Sequence, residues 1–150
     1  MLLQIWNKTF YQYRKFDGQH FAEIERLIND HCLMLIAFRQ RSIEGFDQEQ
    51  EDEGKVKHVF KAFEEVLGPV GAAKFLHLLA PLFFPLLDRV IAEAYNLPLV
   101  KIGTNADKYR RFMRIVKEQI KTLGGEQTIS RNPLKAIDEY NYCKYTKEWI

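Results

Sequence analysis

A chain of 150 residues that is 47% hydrophobic and 13% aromatic has the size of one ordinary domain and ample apolar material for one core. Its formal net charge of +2 conceals an uneven distribution, with acids crowded into residues 44–53 and bases into residues 108–121. The two cysteines, Cys32 and Cys143, are far apart and form no CxxC pair, which excludes a disulfide framework and a cysteine-based zinc site and favours a reducing compartment.

Neither a targeting segment nor a membrane span is expected. Residues 1–5 form too short an apolar run to act as a signal. The longest apolar run, residues 75–87, is interrupted by Pro81 and Pro85 and falls short of a bilayer crossing. We therefore expect a cytoplasmic protein that has no membrane partner.

The first segment predicts a helix, because Leu3, Trp6, Phe10 and Tyr13 recur at intervals of three and four residues. A strand stays open as an alternative, since Phe10, Tyr11 and Tyr13 also suit one. After Asp17-Gly18 a second helix is predicted to run to about Phe38. Its apolar residues trace one face: Phe21, Ile24, Leu27, Ile28, Cys32, Leu35 and Ile36.

Residues 42–54 are predicted to form a mobile acidic loop. Almost all of its side chains are acidic or Gln, and Ile43 and Phe46 are its only large apolar residues. Such a loop would repel a phosphate backbone, so any surface that binds nucleic acid is expected elsewhere.

The centre of the chain predicts three helices separated by Gly and Pro. An amphipathic helix begins near Val56 and ends at Gly68, and Pro69 begins a helix that is apolar nearly all round. That second helix, residues 69–80, is expected to be the buried centre of the fold, with Lys74 and His77 as its polar strip. Pro85 is expected to begin the next helix.

After a linker at residues 96–103, Thr104 or Asn105 is placed to cap another helix, which Gly124-Gly125 ends. Four bases form a stripe on it at steps of four, three and four: Arg110, Arg114, Lys117 and Lys121. Two interpretations are open. The stripe is a solvated face, or it follows a nucleic-acid backbone with strongly salt-dependent affinity.

The last segment begins with Asn132-Pro133, a cap followed by a first-turn proline, and continues at roughly helical spacing to Ile150. Its aromatic residues, Tyr140, Tyr142, Tyr145 and Trp149, are interpreted as a lid on the core, with stacking on exposed bases as the alternative. The whole chain therefore predicts a compact all-α single domain of about six or seven helices, with a central buried helix.

The start of the helix after Gly68 is also a candidate anion-binding site. Its first N–H groups lack intrahelical partners, and the positive end of the helix dipole favours an anion. The residues that would present these amides are Val70, Gly71 and Ala72. A structural interpretation competes: Gly68 is a helix C-cap, Pro69 a first-turn proline, and Asp88 a first-turn acid.

The run Leu67-Gly68-Pro69-Val70-Gly71, followed later by Asp88 ahead of Arg89-Val90, resembles the helix-hairpin-helix core of the DNA glycosylase superfamily. In that superfamily the hairpin reads Leu-Pro-Gly-Val-Gly, its amides approach a DNA phosphate, and an aspartate serves catalysis. The resemblance covers about residues 56–95. It implies a helix-hairpin-helix element, phosphate binding by the three amides, and Asp88 as the catalytic acid.

This chain departs from that pattern in several places. Gly and Pro are transposed, and Phe75 stands where an alanine is usual. The lysine of the Schiff-base members would fall on Ala73, whereas Lys74 lies one residue later. Asp88 follows Pro85 by three residues instead of two. Lys74 is therefore a second catalytic candidate, with a lysine that simply reaches solvent as the alternative.

Two functions follow from the sequence. The first is DNA binding by the hairpin and the basic stripe. The chain would then be a divergent or inactive relative of the DNA glycosylases. If it is active, it would be a base-excision hydrolase with Asp88 and Lys74 as its candidate catalytic residues. The second is a non-enzymatic module that binds another protein. No cofactor is expected, and no metal site, because His77 has no second His or acid at a ligand spacing.

Overall fold

The computed structural model describes residue 5 and residues 7–47, 49–129 and 131–150. Within these ranges the chain forms seven α-helices and no strand, which confirms the all-α prediction. The helices are α1 (Lys8–Tyr11), α2 (Gly18–Asp30), α3 (Cys32–Arg39), α4 (Asp52–Leu79), α5 (Arg89–Ala94), α6 (Ala106–Thr122) and α7 (Pro133–Asn141). Short 3-10 turns occur at Ile43–Gly45 and Glu126–Thr128, and a π turn at Tyr142–Thr146.

Helix α4 is bent sharply at Gly68. Gly68 has φ 74° and ψ 169°, a positive-φ conformation that glycine adopts readily. Pro69 then begins the second half of the helix. The rings of Phe63 and Phe75 lie 5.5 Å apart, whereas a straight helix would separate these residues by about 18 Å along its axis. The two halves therefore turn back toward each other. We call residues 67–72 the helix corner.

The second half of α4 is the buried centre that the sequence predicts. Ala72, Ala73 and Leu76 are fully buried, and Phe75 and His77 nearly so. The first half packs on α6, where the rings of Phe60 and Tyr109 stack at 4.3 Å. These contacts hold the helix corner and α6 in one core.

A buried polar junction joins the same two helices. Glu64 is fully buried, and its Oε1 accepts a 2.5 Å hydrogen bond from Asn105 Nδ2. Of the two predicted caps, Thr104 and Asn105, the structure places Asn105 at the N-cap of α6, but its side chain makes no capping bond and binds backbone groups of Val100 and Lys101. Because both partners are satisfied, this contact fixes where α6 begins.

The prediction of one continuous helix from residue 18 to residue 38 is wrong. His31 has φ −111° and ψ 9°, which interrupts the helix and separates α2 from α3. Ile24, Leu35 and Phe38 are buried as expected, but Phe21, Cys32 and Ile36 are exposed. The predicted apolar face is therefore only partly buried.

Two other boundaries also differ from prediction. Helix α4 begins at Asp52, inside the loop predicted for residues 42–54, and not near Val56. Pro85 does not begin a helix: residues 81–88 are non-helical, with Phe83 and Phe84 fully buried, and α5 begins only at Arg89. The Pro85 carbonyl accepts a buried hydrogen bond from Tyr109 Oη, so Pro85 contacts the core and does not begin a helix.

The C-terminal end of the chain is less helical than its spacing suggests, because α7 ends at Asn141 and a π turn follows. At the N-terminal end Lys8–Tyr11 forms a helical turn, and the predicted positions Leu3 and Trp6 lie outside the described residues. At the other end Tyr145 packs on the ring of Tyr95 at 5.9 Å, but Trp149 is 70% exposed. The lid interpretation therefore fails for Trp149. As predicted, Gly124-Gly125 ends α6. Asn132 also caps α7 as predicted, because its side-chain oxygen accepts hydrogen bonds from the backbone N–H groups of Leu134 and Lys135.

Candidate functional site

Both catalytic candidates and the helix corner lie at one cleft with a volume of about 550 Å³. The cleft lies between the N-terminal segment, which we define as residues 7–14, the helix corner and the start of α5. Its charged lining residues are four bases and one acid: Lys8, Arg14, Lys74, Arg89 and Asp88. Its large apolar and aromatic lining residues include Phe10, Tyr13, Val70, Val90 and Ile102. The cleft is therefore concave, positively charged and partly apolar.

Asp88 is the N-cap of α5. Its backbone is extended, and Oδ1 accepts a 2.9 Å hydrogen bond from the N–H of Ile91. The side chain is half-buried. The sequence placed Asp88 in the first turn of a helix that began at Pro85, whereas the structure moves it to the capping position, which Asp occupies readily. Asp88 thus has a structural role in addition to its position at the cleft.

Lys74 lies one helical turn beyond the corner and is half-buried. Burial lowers its pKa, while the Asp88 and Asp138 carboxylates act in the opposite direction. Desolvation prevails, so Lys74 carries a larger neutral fraction than an ordinary surface lysine. A deprotonated amine is the form that acts as a nucleophile.

His77 and Asp138 lie behind Lys74. His77 is 7% exposed, its Nδ1 is 2.8 Å from the carbonyl oxygen of Phe84, and burial lowers its pKa. Burial also raises the pKa of Asp138, against the effect of Lys135. His77 is therefore a buried histidine that is hydrogen-bonded to the backbone.

The amides of the helix corner are largely covered by the N-terminal segment. Asn7 Nδ2 donates to the carbonyl of Leu67 at 3.0 Å, and the Asn7 amide packs directly against Gly71. Of the three residues predicted to offer amides, Val70 and Gly71 line the cleft, whereas Ala72 is fully buried. The cover could not be foreseen, because about sixty residues separate Asn7 from the corner.

His20 anchors the N-terminal segment at its other end. This histidine is 0% exposed; Arg14 Nε donates to its Nδ1 and Tyr11 Oη lies beside its Nε2, both at 2.8 Å. Arg14 also pairs with Glu23 at 2.5 Å. The segment that forms one wall of the cleft is therefore tied both to α2 and to the corner.

The acidic segment, residues 44–53, contacts the basic stripe, while Asp47, Glu49, Gln50 and Glu51 stay exposed. Ile43 and Phe46 are fully buried, and Arg41 forms two hydrogen bonds of 2.9 Å and 2.8 Å with the carboxylate of Asp52. The segment is thus anchored on both sides. Its mobility stays a prediction, but its apolar residues belong to the core.

Three of the four predicted stripe residues contact this segment. Arg110 pairs with Glu53 at 3.0 Å and Arg114 with Asp47 at 2.9 Å, while Lys117 Nζ donates to the carbonyl of Phe46. Arg110 also pairs with Asp107 of α6 at 3.0 Å, so acids of the segment and an acid of the same helix both contact the stripe. Other side chains line the cleft, so the stripe and the cleft are separate surfaces among the described residues.

Sequence reasoning missed Lys8, Arg14, Tyr13 and Arg89 as residues of the site. No periodic pattern connects them, because each reaches the cleft from a loop or from the end of a short helix. The one available signal was the position of Arg89 directly after Asp88.

A second and larger groove, of about 1010 Å³, lies between α6, the following turn and α7. Its lining is mostly apolar and includes Ile115, Leu123, Ile129, Ile137 and Tyr140. It holds neither catalytic candidate, and Arg114 is the stripe residue that reaches its edge. The chemistry of the candidate site therefore belongs to the smaller cleft.

Within the described part of the chain, no group of three or more His, Cys, Asp or Glu side chains is arranged to hold a metal ion. Nor does any described helix combine the length and the hydropathy needed to cross a membrane. Comparisons with protein-family models, with curated proteins and with solved structures each find no match. The resemblance to the glycosylase hairpin consequently rests on the residues of this chain alone.

Proposed function

We propose that this chain binds DNA through the cleft, as a helical domain related to the helix-hairpin-helix glycosylases. The observation that carries the proposal is the meeting of the helix corner, Lys74 and Asp88 at one concave surface lined by four bases. Clustered bases with a single acid among them give a positive potential that attracts a phosphate backbone. The volume of about 550 Å³ also lies within the range of ligand sites.

The basic stripe has a secondary role in this proposal. Its contacts with Asp47, Glu53 and the Phe46 carbonyl offset part of its positive charge. DNA that reaches Arg114 must compete with the acidic segment for it. In the cleft, Asp88 is the one acid among the lining residues, and Arg14 is paired with Glu23 of α2.

Binding of a labelled duplex to the wild-type chain and to Arg89→Glu tests the proposal. Arg89 is exposed at the mouth of the cleft, so reversing its charge should weaken binding without disturbing the core. The matched control is Lys61→Glu, which makes the same change at an exposed position of α4 outside the cleft. Affinity should fall by about tenfold in Arg89→Glu, or by roughly 1.4 kcal/mol, and far less in the control. Equal losses in the two variants would remove the cleft from the account.

Base excision is the catalytic extension of this proposal, with Asp88 as the acid and Lys74 as the second candidate. Asp88→Asn separates catalysis from capping, because Asn and Asp cap helices about equally well. We expect this variant to keep its stability and its DNA affinity but to lose base release from duplexes that contain damaged bases. If wild-type protein releases no base across a broad panel of lesions, binding alone remains.

Protein binding is the second candidate function, and the groove between α6 and α7 favours it. Leu123 and Tyr140 line the groove and stay exposed, and a patch of this kind suits the apolar face of an amphipathic helix. Leu123→Glu should abolish capture of such a partner while leaving DNA binding unchanged. A partner that binds Leu123→Glu and wild type equally would show that the groove is not its site.

A further inference from the structure

Tyr13 is the most exposed large aromatic side chain at the cleft. It is 89% exposed and lines the same cleft as Lys8, Lys74 and Arg89. An aromatic ring left almost entirely in water contributes little to the core, so its position is not explained by folding. The combination of a free aromatic face with several bases is typical of surfaces on which single-stranded nucleic acid stacks.

The backbone that carries Tyr13 is fixed at both ends of the N-terminal segment. Arg14, the next residue, is bound by His20 and by Glu23, and Asn7 is bound to the carbonyl of Leu67. Phe10 fills the space next to Gly68 at the helix corner. Because the segment is held before any ligand arrives, little ordering entropy opposes stacking on Tyr13.

The remaining walls suit an unpaired base beside a charged backbone. Val70, Val90 and Ile102 supply an apolar surface, while the ammonium and guanidinium groups of Lys8, Lys74 and Arg89 supply the charge for phosphates. In a duplex the base faces are already stacked on one another, so an aromatic side chain reaches them only at ends, bulges or unpaired sites. The cleft therefore discriminates between paired and unpaired strands.

We propose that the cleft prefers single-stranded nucleic acid over duplex, with Tyr13 as the stacking platform for an unpaired base. This inference rests on the proposed nucleic-acid binding and specifies its ligand. The recognised chemistry is a base face together with a phosphate, which DNA and RNA share. No contact specific to the 2′-hydroxyl is required.

The test measures affinity for four probes of one length: single-stranded DNA, single-stranded RNA of the same sequence, and the two corresponding duplexes. Each probe is titrated against wild type, Tyr13→Ala and Tyr13→Phe. Phe21→Ala, at an exposed aromatic residue of α2 outside the cleft, is the matched control. We expect tighter binding of both single strands, a loss of about tenfold in Tyr13→Ala, and nearly full retention in Tyr13→Phe, because stacking needs the ring and not the hydroxyl.

The outcomes separate this inference from the function on which it rests. If wild type binds none of the probes, the proposed nucleic-acid binding itself is wrong. If it binds duplexes as tightly as single strands, or if Tyr13→Ala keeps the preference, nucleic-acid binding stands and the role of Tyr13 is overturned. A preference confined to RNA would show that the 2′-hydroxyl is read, which contradicts recognition by base and phosphate alone.

Discussion

Gly71 is the residue at which the N-terminal segment and the helix corner approach most closely. A Cβ atom placed on Gly71 would overlap the side-chain amide of Asn7 and lie 3.0 Å from the Cβ of Leu67. The Asn7 amide donates to the Leu67 carbonyl, so it cannot move away without losing that bond. A single missing side chain therefore allows one wall of the cleft to close against the corner.

Gly71→Ala should consequently lower the free energy of unfolding by about 1–3 kcal/mol, the usual cost of overpacking a filled site. Urea denaturation measures the change. Gly54→Ala is the control, because an added Cβ meets nothing within 4 Å there and a helical alanine is expected to be neutral or stabilising. In an Asn7→Ala background the cost of Gly71→Ala should shrink, and an unchanged cost would show that Asn7 is not the obstacle.

His20 makes the stability of the N-terminal segment depend on pH. Burial lowers its pKa first and the Arg14 guanidinium adds to the effect, while Glu23 and Asp17 oppose it; Tyr11 Oη is its remaining polar neighbour. The neutral ring accepts from Arg14, so protonation of Nδ1 would remove that bond. Since the folded pKa lies below the ordinary value near 6.5, the unfolded chain takes up the proton first and stability falls as pH drops below that value.

The free energy of unfolding should therefore decrease between about pH 7.5 and about pH 5.5, and His20→Gln should show a smaller decrease. His77, whose pKa is also lowered, accounts for the part that remains in the variant. Denaturant titrations at several pH values measure both slopes. If wild type and His20→Gln lose stability in parallel, protonation of His20 is not the cause.

At the scale of elements, the acidic segment occupies part of the basic stripe and would compete with DNA for those bases. Asp47 and Glu53 reach Arg110 and Arg114 from more than fifty residues away in the sequence. These pairs are partly exposed, so each contributes little to stability and salt weakens it. Their larger effect is to occupy bases for which nucleic-acid binding is one of the two interpretations that the sequence leaves open.

Neutralising the two acids with Asp47→Asn and Glu53→Gln should release the stripe for DNA. We expect the slope of log affinity against log salt concentration to steepen by about 1–2, as expected for one or two additional phosphate contacts. The control is Glu25→Gln with Glu93→Gln, which removes the same charge at exposed positions away from the stripe. If both double variants bind identically, the stripe takes no part in DNA binding.

The features that the sequence predicted correctly are those that depend on residues close together in the chain. Local signals sufficed for Gly68-Pro69, Gly124-Gly125 and Asn132-Pro133, because a turn or cap depends on a few adjacent residues. Periodicity was enough for α4 and α6. It failed at His31 and Pro85, where packing of distant residues decides whether a helix continues.

Only one wall of the candidate site could be predicted from the sequence. Lys74 and Asp88 were chosen from the spacing along the chain, and they do lie at one cleft. The opposite wall, with Lys8 and Tyr13, comes from a segment that no local pattern links to the corner. Contacts across such separations depend on tertiary packing, which periodicity does not encode.

At the scale of the whole molecule, the bend at Gly68 organises the domain. It lets the two halves of α4 pack on each other, brings α6 against the first half, and leaves the corner facing the N-terminal segment and α5. The result is two separate surfaces among the described residues: a cationic cleft at the corner, and a stripe of bases of which Arg110 and Arg114 are paired with acids of the acidic segment. We propose that the cleft is the surface that binds the ligand.

Hydrogen exchange with and without a saturating single-stranded oligonucleotide tests that assignment most directly, because it reports binding along the backbone without any substitution. We predict slower exchange in residues 8–14, in residues 68–74 and at the start of α5, with little change along residues 110–121. Protection confined to α6, or no protection at saturation, would contradict the account.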